Sequence, residues 1–134
     1  MKVREHALLF LRKAEQDEFV LALPLGSPDS PEEAVGFHAQ QAVEKRIKAV
    51  LASAGIVFRR THDIAELLDL AADHGIAVPA AMEELRWLTP FAVEFRYDDL
   101  PAVGEEPLDR EWVERSVRVA KEWSARVIGH GSEC

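Results

Sequence analysis

The chain has 134 residues, of which 48% are hydrophobic and 30% are charged, with a formal net charge of −8 at pH 7. This size and composition indicate one globular domain with a buried core and exclude a disordered chain. The acidic balance excludes generic coating of nucleic acid, and no apolar run approaches the roughly 20 residues that a membrane span needs. The single cysteine, Cys134, excludes an internal disulfide framework and favours a reducing, cytoplasmic setting.

The first predicted helix runs from Lys2 to about Leu23. Its apolar residues recur at helical spacing, and Leu8 and Phe19 widen the apolar surface. The residues along its main side are Val3, Ala7, Phe10, Leu11, Ala14, Glu18 and Leu21. A cluster of proline, glycine, serine and aspartate at 24–29 then breaks the helix.

The second predicted helix is the most clearly marked, and the rest of the chain is organised around it. Ser30 is expected to cap its start, with Pro31 at the first helical position and Glu33 completing a capping box. Gly55 is expected to end it in the left-handed conformation. The positions at helical spacing that predict a core face are Val35, Ala39, Val43, Ile47, Val50 and Ala54. A polar stripe on another face, which predicts a site or an interface, consists of His38, Gln41, Lys45 and Lys48.

A third helix is predicted after a short connection that holds two arginines and His62. Thr61 or Asp63 is expected to cap its start, because short polar side chains accept hydrogen bonds from the first backbone N–H groups. The apolar periodicity then continues to Gly75, which is expected to end the helix.

Pro79 is expected to open a fourth helix over residues 80–88. Pro90 then interrupts it, because proline lacks an N–H group and disfavours helical geometry at Thr89. Residues 91–95 are predicted to form either a short separate helix or a kinked continuation.

A loop at 96–107, with two prolines and a glycine, leads to the last helix, which is predicted from Asp109 to about Ile128. The tail at 130–134 is expected to fray. The sequence contains no β-hairpin signal, and short connections favour sequential helices as antiparallel neighbours. The predicted fold is therefore all-α, a single domain over 1–134 that forms an antiparallel up-down helical bundle of four main helices plus a short extra helix.

Basic residues are concentrated around the second helix. Five lie between positions 44 and 62 against one acid, whereas twelve acids and two bases lie between 63 and 109. This distribution favours a local anion site within an acidic protein, and solvated helix faces would explain it equally. His38, His62 and His74 have none of the spacings of a metal site, and no glycine-rich phosphate loop is present, so neither a metal nor a cofactor is predicted.

A family resemblance rests on four segments of the chain. They are FLRKAEQDE at 10–18, FHAQQAVEKRIKAVLASAG at 37–55, RTHDIAELL at 60–68 and LTPFAVEFRYDD at 88–99. In this order they resemble the HEPN family, the higher eukaryotes and prokaryotes nucleotide-binding domains. The resemblance implies a helical bundle that forms a homodimer, a cleft with polar residues, and association with a nucleotide or RNA. Many bacterial members resemble one half of a toxin–antitoxin pair whose other half is a small nucleotidyltransferase.

Ribonuclease members of that family carry an arginine followed by a histidine four to six residues on, and this sequence departs from the pattern. The positions that would hold the histidine after Arg96 are Pro101, Ala102 and Val103. Arg126 and His130 are separated by three residues only. Cleavage would therefore need a base from elsewhere in the fold, from His38 or His62.

Arg96 and Tyr97 are the first candidates for a nucleotide- or phosphate-binding site. A guanidinium group suits bidentate phosphate binding, and the tyrosine ring is suited to stack on a base. The other candidates are His38, Gln41, Lys45, His62 and Asp63. The polar stripe of the second helix is explained equally by a ligand cleft, a dimer seam or a plain surface. Arg96 and Asp63 are also explained as residues that cap helix ends.

The resemblance, together with these residues, implies three candidate functions. The leading one is a homodimeric binding module for a nucleotide or RNA, paired with a nucleotidyltransferase in a toxin–antitoxin-type system. The second is a metal-independent ribonuclease toxin that uses Arg96 with a histidine from another helix. The third is a non-catalytic interaction or dimerisation protein. Tyr97 is, in addition, a possible hydroxyl acceptor for nucleotide transfer by the partner.

Overall fold

The computed structural model describes residues 2–91 and 109–132, and within these ranges all regular structure is helical. In chain order the helices are α1 (Lys2–Leu25), α2 (Glu32–Ser53), α3 (Ile64–Asp73), α4 (Ala80–Glu83), a 3-10 helix (Glu84–Phe91) and α5 (Arg110–Ser132). The predicted all-α class is confirmed for this part of the chain. None of the helices in it has the length and apolar character to cross a membrane.

The central helix of the fold is α2, which contacts α1, α3, α5 and the 3-10 helix. Its predicted apolar stripe is buried from Val35 to Val50, whereas Ala54 lies beyond the end of α2 and is exposed. A helix with neighbours on most sides also buries part of its polar face. The buried polar residues of α2 are Gln40, Glu44, Arg46 and Lys48.

The start of α2 differs from the prediction. Pro31 occupies the cap position without a side-chain hydrogen bond, so the capping box built on Ser30 is wrong. The Ser30 hydroxyl instead lies 2.6 Å from the carbonyl oxygen of Pro24 and accepts a hydrogen bond from Arg110 Nη1 at 2.8 Å. This hydroxyl therefore closes the turn between α1 and α2. The predicted end is confirmed, because Gly55 follows α2 with a φ of 73°.

Both ends of α3 follow the prediction. Asp63 is the N-cap residue, and its Oδ1 accepts a hydrogen bond from the backbone N–H of Glu66 at 3.3 Å. Gly75 has a φ of 83°, the left-handed conformation that ends helices. Burial of Ile64, Leu67, Leu68 and Ala71 fixes the face that α3 presents to the core.

The predicted fourth α-helix over 80–88 is only partly correct. It is α-helical as far as Glu83 and continues as a 3-10 helix to Phe91. The geometry tightens ahead of Pro90, because proline removes a backbone donor and disfavours the α conformation at Thr89. The Thr89 hydroxyl accepts a hydrogen bond from the backbone N–H at position 64, at 3.2 Å, which joins this segment to the start of α3.

The two terminal helices of the fold bury narrow faces. In α1 the buried positions are seven residues apart, at Ala7, Ala14 and Leu21, and the two alanines allow close approach to α2. Leu8 and Phe19 lie outside this line and are exposed. The helix α5 buries Val113, Ala120 and Trp123, and it extends to Ser132, beyond its predicted end.

Candidate functional site

Three polar residues of α2 converge on a buried carboxylate. Gln40, Glu44 and Lys48 follow one another at four-residue spacing and so share one side of the helix. The Glu44 side chain is 2% exposed, and it accepts hydrogen bonds from Gln40 Nε2 at 2.9 Å and Lys48 Nζ at 2.7 Å. His62, in the connection before α3, places its Nδ1 2.9 Å from Oε1 of the same carboxylate.

These contacts offset the cost of burying the Glu44 charge, and they hold the connection before α3 against α2. Removing an ionised carboxylate from water costs several kcal/mol unless opposite charge and donors compensate. Lys48 supplies the charge, while Gln40 and His62 supply further hydrogen bonds. Gln40 Nε2 also lies 3.0 Å from the backbone carbonyl oxygen of His62, to which it donates. Both the backbone and the ring of His62 are thereby held relative to α2.

The ring of His62 combines a fixed orientation with access to solvent. Its side chain is 56% exposed although its Nδ1 faces the buried carboxylate. An ionised carboxylate only accepts hydrogen bonds, so Nδ1 carries the proton in this contact. In a neutral ring the Nε2 atom then keeps its lone pair. Such a ring is equipped to accept a proton at Nε2 or, when protonated, to donate a hydrogen bond to an anion.

Two neighbouring arginines in the same connection differ in their contacts. Arg59 Nε and Nη2 donate to the Glu66 carboxylate at 2.7 and 2.6 Å. This hydrogen bonding raises the pKa of the Arg59 guanidinium above its ordinary value. Arg60 is exposed, and its guanidinium forms no ion pair with any residue in 2–91 or 109–132. Arg60 is therefore available to an anion, whereas Arg59 is already engaged.

A second polar group joins α1 to the same stretch of α2. Lys45 Nζ pairs with Asp17, and Arg46 donates two hydrogen bonds to Glu18 at 2.9 and 2.8 Å. His38 Nδ1 lies 3.7 Å from the nearer Asp17 oxygen, where a protonated ring is attracted electrostatically but no hydrogen bond forms. That nitrogen is buried and lacks a hydrogen-bond partner among the described residues. Among the described residues, Nδ1 of His38 is thus the buried side-chain polar atom that is left without a hydrogen bond.

The remaining predicted site residues have different surroundings. Gln41 Nε2 donates to Gln40 Oε1 at 2.7 Å, which places it beside the network around the buried carboxylate. Asp63 caps α3, as its alternative explanation proposed. Arg96 and Tyr97 lie outside the described residues, so a cleft that they share with the polar stripe stays a prediction. Within the described ranges no group of three or more potential metal ligands comes together.

Sequence reasoning missed the buried members of these polar groups, and it gave the exposed Arg60 no role in the site. Gln40 and Glu44 received no role, although an amide, a carboxylate and a lysine at successive four-residue steps are a visible signal of side chains that meet. A rule that apolar residues mark the buried face cannot show that this polar side is covered as well. The pairing of Asp17 with Lys45 depends on how α1 lies on α2, which helical periodicity does not define.

A comparison with family models covers nearly all of these elements. The model of the HEPN domain matches residues 7–127 of the 134. The chain belongs to the HEPN domain family. Both polar groups of this HEPN domain, and the positions of Arg96 and Tyr97, lie inside the matched region.

One curated relative shares part of the sequence. A protein of Methanocaldococcus jannaschii named "Putative toxin MJ1304" is 43% identical to this HEPN chain over 56 residues. The matched segment is 42% of this chain and 36% of that protein, so the chain covers little more than a third of the relative's length. No solved structure matches the chain.

Proposed function

We propose that this HEPN domain binds a nucleotide or an RNA phosphate as the toxin-like half of a toxin–antitoxin-type pair with a small nucleotidyltransferase. Membership of the HEPN family supports nucleotide association, and the name of the M. jannaschii relative supports the toxin-like role. The proposal includes a cytoplasmic homodimer and an antiparallel up-down arrangement of four main helices plus a short one. The short connections between α1, α2 and α3 support that arrangement.

The observation that carries this proposal is the ring of His62, which Glu44 holds in place while more than half of the side chain remains exposed. A phosphate binds best to donors that are oriented before it arrives, because less rotational freedom is then lost on binding. Arg60, two residues earlier, adds an exposed guanidinium suited to bidentate contact with phosphate oxygens. In this proposal His62 and Arg60 together bind the anion, although the protein as a whole is acidic.

Ligand-induced thermal shifts test the proposal. The wild type is expected to melt several degrees higher in ATP, GTP or a short RNA, because a ligand at about 100 times its dissociation constant adds roughly 2.7 kcal/mol. Arg60→Ala is expected to lose most of this shift, and Arg96→Ala is expected to do the same if its guanidinium reaches the same phosphate. Arg59→Ala is the matched control, because this neighbouring arginine already pairs with Glu66.

The control separates binding from stability. Arg59→Ala is expected to lower the melting temperature of the free protein slightly and to keep the full ligand-induced shift. Absence of any shift in the wild type would contradict nucleotide or RNA binding and favour the non-catalytic interaction protein. Equal loss of the shift in Arg59→Ala and Arg60→Ala would show that general positive charge, and not the connection around His62, attracts the ligand.

A second candidate function is metal-independent RNA cleavage, which the 2.9 Å contact between His62 Nδ1 and Glu44 Oε1 favours. In that reaction a base removes the proton of a 2′-hydroxyl, whose oxygen attacks the adjacent phosphorus and expels the 5′-oxygen of the next nucleotide. His62 Nε2 would act as the base, and Arg96 would stabilise the negative charge that develops on the phosphorane. In this second candidate function, the histidine that works with Arg96 is therefore His62, in the connection before α3.

RNA incubated with the protein and a chelator distinguishes cleavage from binding. Under the second candidate, the wild type produces 2′,3′-cyclic phosphate ends without added metal. His62→Gln is expected to slow this by about 10²- to 10⁴-fold, the usual contribution of a general base. His74→Gln is the control, since it removes an exposed histidine at the end of α3. Intact RNA with the wild type would contradict catalysis and leave the binding proposal unchanged.

A further inference from the structure

The outward side of α1 exposes more large apolar side chains than any other element in the described part of the chain. They are Leu8, Leu9, Phe19, Val20 and Leu23. The exposed fraction reaches 75% for Phe19 and 71% for Leu23. Single exposed apolar residues are normal on a protein surface, but five on the outward side of one helix mark an interaction site.

Four of these side chains form two matching groups. Leu8 and Leu9 lie near the start of α1, and Phe19 and Val20 follow eleven residues later. Eleven residues of an α-helix turn through about three full rotations, so Leu8 and Phe19 lie on one flank of the exposed face. Leu9 and Val20 lie on the other flank for the same reason.

The charges between the two apolar groups have opposite signs. Arg12 and Lys13 come first and Glu15 and Gln16 follow, and all four side chains are exposed. Neither Arg12 nor Glu15 forms an ion pair with a residue that the structure describes. Along the exposed face of α1, an apolar group is followed by a basic group, then by an acidic or polar group, and then by a second apolar group. When two copies of this face pair in opposite directions, apolar groups meet apolar groups and the basic group meets the acidic or polar group.

We infer that α1 forms the seam of a homodimer, in which the α1 helices of two copies pair antiparallel about a two-fold axis near position 14. Opposing residue numbers then sum to about 27 on one flank and to about 29 on the other, and every contact occurs twice. On the first flank, Leu8 meets the partner's Phe19 and Arg12 meets the partner's Glu15. On the second, Leu9 meets the partner's Val20 and Lys13 meets the partner's Gln16.

Charge complementarity favours a second copy of α1 as the partner of this face, and it favours the antiparallel direction. In a parallel two-fold pairing of the same faces each flank would meet the other flank of the partner at the same height. Arg12 would then approach the partner's Lys13, which is repulsive. The antiparallel pairing brings unlike charges together at the centre and apolar groups together at both ends. The inference rests on the homodimer in the proposed function and adds the surface that forms it.

Charge reversal within α1 tests the seam. Light scattering over a hundredfold range of concentration is expected to give the wild type a mass of twice 15.0 kDa. Arg12→Glu and Glu15→Arg each create two like-charge contacts, so each is expected to raise the dimer dissociation constant by about tenfold or more. The double variant restores opposite pairs and is expected to return close to the wild-type value. Arg115→Glu, an equal charge change at an exposed position of α5, is the control.

The outcomes separate the seam from the rest of the proposal. A dimer that persists in both single variants and in Phe19→Asp would contradict the α1 seam but retain the homodimer. A wild-type mass of 15.0 kDa at every concentration would contradict both, while the thermal shift with ATP or RNA would still report on binding. Failure of the double variant to recover, with helicity intact by circular dichroism, would contradict the antiparallel register.

Discussion

The residue on which the candidate site depends most directly is Glu44. Its carboxylate receives donors from two segments, Gln40 and Lys48 on α2 and His62 in the connection before α3. A buried carboxylate is costly alone, so the network is stable only when all of its members are present. The orientation of the exposed His62 ring therefore depends on the buried Glu44 carboxylate.

Removal of this carboxylate is expected to be strongly destabilising. Glu44→Ala leaves the charge of Lys48, which is itself buried, without its partner, and should lower the free energy of unfolding by about 3–5 kcal/mol. Glu44→Gln keeps the shape and one acceptor and should cost less. Urea-unfolding midpoints provide the measurement. The control is Glu122→Ala, at an exposed position of α5, with an expected change within about 0.5 kcal/mol. Equal midpoints for Glu44→Ala and this control would contradict the structural role of the network.

At the scale of the elements, local signals predicted the helices whose ends are built locally. Asp63 and Gly75 mark α3 because the cap and the left-handed residue each depend on only a few neighbouring backbone groups. Ser30 carried the same kind of signal and was misread. Its hydroxyl contacts the end of α1 and the start of α5, and residues that are distant in sequence decided its role.

Periodicity also predicted apolar faces without showing what would cover them. Leu8 and Phe19 belong to the predicted apolar surface of α1, yet only the neighbouring line of Ala7, Ala14 and Leu21 is buried. The polar side of α2 shows the opposite case, because Glu44 is covered although its residue type favours solvent. The sequence therefore predicted a polar stripe on α2 as a candidate site or interface, but not which polar residues of α2 are buried. Both outcomes depend on the placement of neighbouring helices, which a helix's own sequence does not contain.

At the scale of the whole molecule, Arg110 connects the start of α5 to the turn between α1 and α2. Its Nη1 donates to the carbonyl oxygen of Pro24 at 2.9 Å and to the Ser30 hydroxyl at 2.8 Å. Its Nη2 donates to the carbonyl oxygen of Ser30 at 2.6 Å. Carbonyl groups at the end of a helix lack partners within that helix, and a cation there is favourable. One guanidinium thus joins the start of α5 to the end of α1 and to the turn before α2, across 80 to 86 positions of the sequence.

Loss of this connection is expected to affect the stability of the whole fold and not of α5 alone. Arg110→Ala removes charge-assisted hydrogen bonds at a partly buried turn, which should lower the free energy of unfolding by about 1–3 kcal/mol. Arg115→Ala, an exposed arginine of the same helix, should change it by less than about 0.5 kcal/mol. Unfolding followed both by circular dichroism and by tryptophan fluorescence should give coincident transitions that shift together in Arg110→Ala, because α2 packs against both α1 and α5 in one core. Separate transitions for the two probes would show that α5 unfolds independently, and Arg110 would then hold only its own helix in place.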